Sequence, residues 1–366
     1  MTTISLQLQL YLRTDGTLET LARDLAVRSV RHPLYPNLIL FKYDQINSPM
    51  DNLIVQECRG IILDEAADWQ VVARPFSKFF NYGEPNAADI DWTTARVQEK
   101  VDGSLCVFYY YADRWHVATT GTPDAGGHVH NGDRMFRDLI WEAAHTRSLQ
   151  MLSPEHTYLF ELTSPYNRVV VQHKEIGLTL LGIRHRETGA WVLREEIANY
   201  LTGNVSITQE YAFDSFVSIL ASFDHIDPLT HEGYVVVDSQ GQRVKVKHPR
   251  YVALHLLKES SNPRAFVEVL QAGETPELLT YFPELTADYL PLQTAYEALI
   301  VEIDADYARL QSIEAQKDFA QEALKTRCSS ALFSIRAGKC TGARDYLSHA
   351  LTNLVMRLLG LKPDQT

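Results

Sequence analysis

The chain predicts an α+β fold: a mixed, mostly antiparallel sheet region over residues 1–250, followed by an all-helical region over 251–366. Two patterns and one length argument lead there. From Val55 to Tyr251, short apolar runs are separated by polar or glycine-bearing turns, the signature of strands joined by tight connections. Beyond Tyr251 glycine thins out, and leucine, alanine and glutamate recur at helical spacing. A chain of 366 residues also exceeds what one hydrophobic core usually organises, so two domains are expected.

Taken in order, the first fifty residues hold an apolar alternation at Leu6, Leu8, Leu10 and Leu12, a helix predicted over Leu18 to Ser29, and a turn entering a strand at LYPNLILFKYD. VQECRGIILDE sets Arg59 and Gly60 immediately before a strand, and RPFSKFFNYGE sets Lys78 ahead of Phe79 and Phe80. CVFYYYADRWHVATT reads as two strands about a turn at Ala112 to Arg114, with a helix predicted from Met135 to Thr146. YLFELTSPYNRVVV places Glu161 inside an apolar strand. LTLLGIRHRETGAWV turns at Glu187 to Gly189, and GYVVVDSQGQRVKVK at Ser239 to Gly241. In the last third, residues 294–324 read as one long amphipathic helix. SNPRAFVEVLQAG and DYLSHALTNLVMRLLG read as shorter helices ending at glycine.

Composition narrows the function classes. A formal net charge of -12 excludes a broad, nonspecific affinity for nucleic acid, so any polynucleotide contact must come from a local basic patch. Cys58, Cys106, Cys328 and Cys340 are far apart and show no metal-pair spacing, which predicts reduced thiols. His128 and His130 sit in a glycine-rich loop without acidic or cysteine partners at ligand spacing, and read as solvated. The N-terminus lacks a basic lead and a long apolar block, and no apolar run approaches ~20 residues. A cytoplasmic protein with no membrane contact is expected.

The chemistry centres on EKVDGSLCV, residues 99–107. In extended backbone Lys100 and Asp102 project from one face toward one ligand, and Gly103 permits close backbone approach. A lysine attacks only as the neutral amine, a minor species at pH 7 for an ordinary pKa of ~10.4, so the site must favour that form by desolvation or by further cations. Arg59 reads either as a surface arginine at a strand entrance or as a fork that grips a phosphate. Lys78 is a second candidate phosphate cation. Of Phe79 and Phe80, one reads as core. Glu161 needs a partner such as a metal, a ribose hydroxyl or a base. Lys245 and Lys247 share one face of a strand, as an edge guard or as site cations.

The ordered set Arg59-Gly60, Lys78 to Phe80, Lys100-Val101-Asp102-Gly103, Glu161, Glu232-Gly233 and Lys245-Val246-Lys247 resembles the motifs of the covalent nucleotidyltransferases, which are DNA ligases, RNA ligases and capping enzymes. CRGIILDE, SKFFNYGE, FELTSPYNRVVV and KVKHPRY narrow the resemblance to the phage-type RNA ligase 1 family over roughly residues 50–250. That resemblance implies a nucleotidyltransferase (ATP-grasp-like ligase) domain and an ATP-dependent enzyme that seals RNA 5'-phosphate and 3'-hydroxyl ends. The reaction would pass through lysyl-AMP and adenylylated RNA. It implies Lys100 as nucleophile, and ATP contacts from Arg59, Lys78, Phe80, Gly103, Glu161, Glu232, Gly233, Lys245 and Lys247. Asp102, Glu161 and Glu232 would hold hydrated Mg2+, with Mn2+ as an alternative, and the three lysines together would depress the pKa of Lys100.

One departure stands out: the family usually carries a further lysine where this chain has Thr120 before Gly121, and Arg114 is a candidate replacement cation. The helical region resembles the family's substrate-selecting domain. There, Lys325, Arg327, Arg336, Lys339 and Arg344 follow one another without an acid between them, a candidate patch for RNA such as tRNA. The expected role is RNA repair by a monomer, with an end-healing kinase/phosphatase as a possible partner. The rival readings are a noncatalytic RNA-binding protein on a ligase fold, and a DNA ligase or capping enzyme.

Overall fold

Three antiparallel-rich sheets build the first of two units, Met1–Tyr251, and helices build the second, Val252–Thr366. The computed structural model describes residues 6–44, 47–129, 133–252, 263–273, 275, 279 and 285–362. His130 therefore lies outside the described residues.

The first sheet runs β1 (Val27–Arg31), β2 (Leu38–Tyr43), β3 (Arg59–Asp64) and β4 (Gln70–Ala73), each antiparallel to the next. In its register Lys42 lies opposite Arg28 on one side and Arg59 on the other, with an irregularity at Phe41/Lys42. Ten of the remaining strands form two five-stranded sheets. β7 (Ser104–Tyr111), β8 (Arg114–Thr119), β10 (His156–Thr163), β11 (Gly177–His185) and β13 (Ser206–Ile207) lie in the order β13-β11-β10-β7-β8. β5 (Phe80–Asn81), β6 (Arg96–Glu99), β14 (Glu210–Tyr211), β15 (Gly233–Val237) and β16 (Arg243–Lys247) lie in the order β14-β6-β15-β16-β5. The short pair β9 (Gln150–Met151) and β12 (Leu201–Thr202) stands apart.

Apolar alternation explains the layering. Leu40 and Ile62 of the first sheet pack with Val107, Tyr109 and Leu159 of the second in one buried cluster, while the other face of the second sheet covers Phe136–Thr146 through Phe108, Phe160, Leu139 and Ile140. Lys100 to Gly103 is the crossing between β6 of one five-stranded sheet and β7 of the other. The predicted hairpins form: Ala112 and Asp113 both take positive φ in the β7/β8 turn, as a two-residue hairpin connection requires.

Several local expectations are corrected. The Leu6 to Leu12 alternation is helical, Gln7–Arg13, because the Glu57 carboxylate accepts the first-turn amides of Gln7 at 3.1 Å and Leu8 at 2.8 Å, a cap fifty residues away in sequence. The helix expected over Leu18 to Ser29 stops at Leu25. Ala26 turns left-handed, and Val27 begins a strand against Tyr43. The long helix is broken into Thr286–Leu310 and Gln316–Ala323, and Arg336 Nη2 donates to the Glu314 carbonyl in the gap at 2.9 Å. DYLSHALTNLVMRLLG likewise splits into Ala343–His349 and Thr352–Leu358. Among the described residues no helix is long and apolar enough to cross a membrane.

Gly233 is demanded by the sheet itself. Its φ is +142°, and a Cβ there would lie 2.2 Å from the Val246 carbonyl oxygen. Gly233→Ala should therefore lower stability by about 2–3 kcal/mol through backbone displacement, measured as a fall in thermal midpoint. An unchanged midpoint would show that β16 can move aside.

Candidate active site

Lys100 is fixed by its backbone before its side chain is considered: its amide donates to the Gly233 carbonyl at 2.9 Å, which ties the crossing to the start of β15. Glu232, the residue before Gly233, is 5% exposed and bridges two ammonium groups. Its carboxylate lies 2.6 Å from Lys100 Nζ and 3.4 Å from Lys247 Nζ. Glu161 approaches from β10, the strand beside β7. Gly103 makes that approach possible, since a Cβ there would sit 2.4 Å from the Leu162 carbonyl oxygen and 3.0 Å from Glu161 Cγ. The expected close approach at Gly103 is thus to a neighbouring strand.

Electrostatics overturn one expectation. The neighbouring lysines do not win at Lys100: burial pulls its pKa down, but Glu232, Glu161 and Asp102 more than offset this and hold the amine above its ordinary value. The lysine that yields is Lys245, pushed down to about 7 by burial first and then by Arg59, Lys78, Lys100 and Lys247. Glu161 moves the other way, up to about 8, because burial outweighs the pull of Lys100 and Arg59.

Asp102 is held by a set of hydrogen bonds. Its Oδ2 accepts the amides of Val170 at 2.9 Å and Val171 at 2.6 Å, and its Oδ1 accepts the Tyr251 hydroxyl at 2.9 Å. Both oxygens thereby help to organise the Val170–Val171 loop and Tyr251. Among the described residues no group of three or more His, Cys, Asp or Glu side chains could cage a metal ion. Glu161 and Glu232 remain, which suits a cation that keeps most of its waters. A carboxyl that burial holds protonated to about pH 8 is a group whose ionised form calls for added positive charge.

Arg59 is half-buried at the head of β3, and its Nη1 has no hydrogen-bond partner among the described residues. Its guanidinium lies 5.2 Å from the Phe79 ring centroid, and Lys245 Nζ lies 4.9 Å from the same ring. Lys78 Nζ sits 5.1 Å from the Tyr43 ring and 5.4 Å from that of Phe80. Phe79, a candidate core residue in the sequence, is thus the platform between two site cations. Tyr43 and Tyr251 were also missed, although Tyr251 closes the KVKHPRY stretch and could have been found there. Beyond Lys78 to Phe80 a cavity of about 870 Å³ opens between sheets, lined by Arg74, Arg184, Arg243 and Trp191. Arg184 there donates to the Pro75 carbonyl at 2.6 Å and the Gly189 carbonyl at 2.9 Å, and so braces a turn.

Two further groups of cations are drawn into local contacts. Arg114 opens β8 at the end away from Thr119, where it donates to the Tyr35 hydroxyl, so it does not replace a cation at Thr120. In the candidate RNA patch, Lys325 pairs with Glu322, Arg327 with Glu302 and Arg344 with Glu297, while Arg336 packs on Phe319 and binds a backbone carbonyl. Lys339 lines a small pocket with Asp345 and Tyr346. The acids come from preceding helices, so a run without local acids is no measure of free charge.

A family model described as RNA ligase matches residues 57–251, a span that contains Arg59, Lys78, Lys100, Glu161, Glu232, Lys245 and Lys247. An RNA ligase of Rhodothermus phage RM378 is 29% identical over 296 residues, covering 64% of this chain and 67% of the phage protein. A protein of Autographa californica nuclear polyhedrosis virus, named for polynucleotide kinase and RNA ligase activities together, is 29% identical over 280 residues, covering 70% of this chain but 39% of the viral one. An archaeal ATP-dependent RNA ligase structure is similar at a TM-score of 0.48 and 14% identity, over 85% of this chain and 84% of that one.

Lys245 carries a stability consequence. Between pH 7 and about 10.4 the native state binds fewer protons than the unfolded one, so stability rises with pH across that window, and below it the charged lysine is a full liability. Lys245→Met should raise the thermal midpoint by about 2–4 °C at pH 6 and by much less at pH 10, while abolishing nucleotide-dependent activity. A lower midpoint at pH 6 would contradict the assigned repulsion.

Proposed function

Since the chain belongs to the RNA ligase family, we propose that it is an ATP-dependent RNA ligase joining 5'-phosphate and 3'-hydroxyl RNA ends through a lysyl-AMP intermediate on Lys100. The observation that carries this reading is the cluster at the sheet crossing. Lys100 is 2.6 Å from Glu232, inside a ring of cations that includes an Arg59 nitrogen with no partner among the described residues. Such a ring suits a substrate rich in phosphate.

In the first step Lys100 Nζ bonds to the α-phosphorus of ATP as the bond from that phosphorus to the bridging oxygen breaks, the electron pair leaving on pyrophosphate. The amine must first lose a proton, and Glu232 is the group in contact with it. Glu161 and Glu232 would hold hydrated Mg2+ or Mn2+, whose charge favours the neutral amine and offsets charge on the transferring phosphate. Lys245 and Lys247 stand on the strand beside Glu232 to hold the α-phosphate and the leaving group, and Arg59 and Lys78 to hold phosphate from the first-sheet side. Asp102 acts on the fold of the site, holding Val170, Val171 and Tyr251 around the nucleophile. AMP then passes to the RNA 5'-phosphate, and the 3'-hydroxyl displaces it. Each step is an in-line displacement at phosphorus that one cation set serves.

The substrate would be broken RNA, tRNA among the candidates, with ends prepared by a kinase/phosphatase. Wild type incubated with magnesium and α-labelled ATP should become covalently labelled and release AMP when 5'-phosphorylated RNA is added, whereas Lys100→Ala should stay unlabelled. Absence of label on wild type would move the assignment to a noncatalytic RNA-binding protein on this fold.

A further inference from the structure

The cross-strand row Arg28–Lys42–Arg59 sets three cations on adjacent strands, with Lys42 in register opposite both arginines. Like charges directly opposite in a sheet are destabilising, and side chains free to do so splay apart. Here Arg28 and Lys42 converge. A Cβ on Gly121 would find Lys42 Nζ at 3.7 Å and Arg28 Nη2 at 3.8 Å, so both heads bend toward one point beside the Thr120–Gly121 backbone. Among the described residues neither head has a carboxylate within ion-pair distance; the nearest charged groups acting on Lys42 are Arg28 and Arg59 themselves. Arg28 is exposed, Lys42 half-buried and Arg59 the most deeply set, so the row leads from solvent to the cluster around Lys100.

From this geometry we propose that Arg28 and Lys42 are nucleotide-binding residues, which together with Arg59 seat the outer phosphates of the triphosphate. The inference rests on the ligase reading above and goes beyond it by assigning two residues of the first sheet to the leaving group. As the bond from Lys100 Nζ to the α-phosphorus forms and the bond to the bridging oxygen breaks, negative charge accumulates on the departing pyrophosphate. The row offers guanidinium and ammonium groups to that charge. The lysine proton goes to Glu232 or to water, and no other reactant is needed. Convergence of like charges is then explained by the anion they share, since the sheet gains nothing from it without one.

The test separates the nucleotide's outer phosphates from RNA phosphate as the anion. Self-adenylylation is measured against ATP concentration for wild type, Lys42→Met, Lys42→Arg and Arg28→Gln, and sealing is measured separately with RNA already adenylylated at its 5' end. Loss of one charge-assisted contact should raise the ATP concentration at half-maximal rate about tenfold in Lys42→Met. Lys42→Arg should stay close to wild type, and sealing of adenylylated RNA should fall far less than adenylylation. Thermal midpoints of Lys42→Met at or above wild type exclude misfolding as the cause, because removing one of three apposed cations relieves repulsion. An unchanged ATP dependence in Lys42→Met would overturn the proposal. So would an equal loss in sealing adenylylated RNA, which would assign the row to RNA phosphate. Failure of wild type to take label at all is a different result, and it overturns the ligase reading together with this one.

Discussion

The ion pair between Lys100 and Glu232 is the interaction on which the rest of the site depends. It forms at the crossing between the two five-stranded sheets, where the Lys100 amide is bonded to the Gly233 carbonyl. Every neighbouring charge is then placed by strand pairing: Lys247 beside Glu232 through the β15/β16 register, Glu161 through β10 against β7, and Arg59 at the head of β3. The result is a buried mixture of charges that is not balanced locally. It leaves Lys100 held as an ammonium, Lys245 weakened as a base and Glu161 reluctant to ionise.

That imbalance has a direction. On the proposed reading, a nucleophile locked by a carboxylate stays unreactive until another cation competes for that carboxylate. Desolvated cations facing no carboxylate are a cost to the fold, and a phosphate-rich ligand offsets it. On the proposed reading, stability and function are opposed at Lys245 and at Lys42 for the same reason.

How much of this was legible in the sequence depended on how local the controlling forces were. Hairpins with turn residues at Ala112–Asp113, Glu187–Gly189 and Ser239–Gly241 were readable, because turn chemistry and period-two alternation act over a few residues. So was the set of charged residues at strand ends, and with it the ligase reading. The helix at Gln7–Arg13 was not, because its cap comes from Glu57. The state of Lys100 was misjudged because counting lysines ignores which carboxylates the fold brings closer. The hydrogen bonds of Asp102 were not readable, because its partners, Val170, Val171 and Tyr251, are far along the chain. The basic run from Lys325 to Arg344 looked free only while Glu297 and Glu302 were distant in sequence. Lys42 and Arg28 carried no local signal at all, since only strand register makes them neighbours.

Carboxylates, not neighbouring lysines, set the resting state of Lys100. Titration of the lysine amines by nuclear magnetic resonance, with Lys100 and Lys245 assigned through their arginine variants, tests it directly in the nucleotide-free protein. The account predicts a Lys100 midpoint above the ordinary lysine value and a Lys245 midpoint near 7. A Lys100 amine that titrates near neutrality, with Lys245 unshifted, would contradict it and show that the nucleophile is activated before any nucleotide arrives.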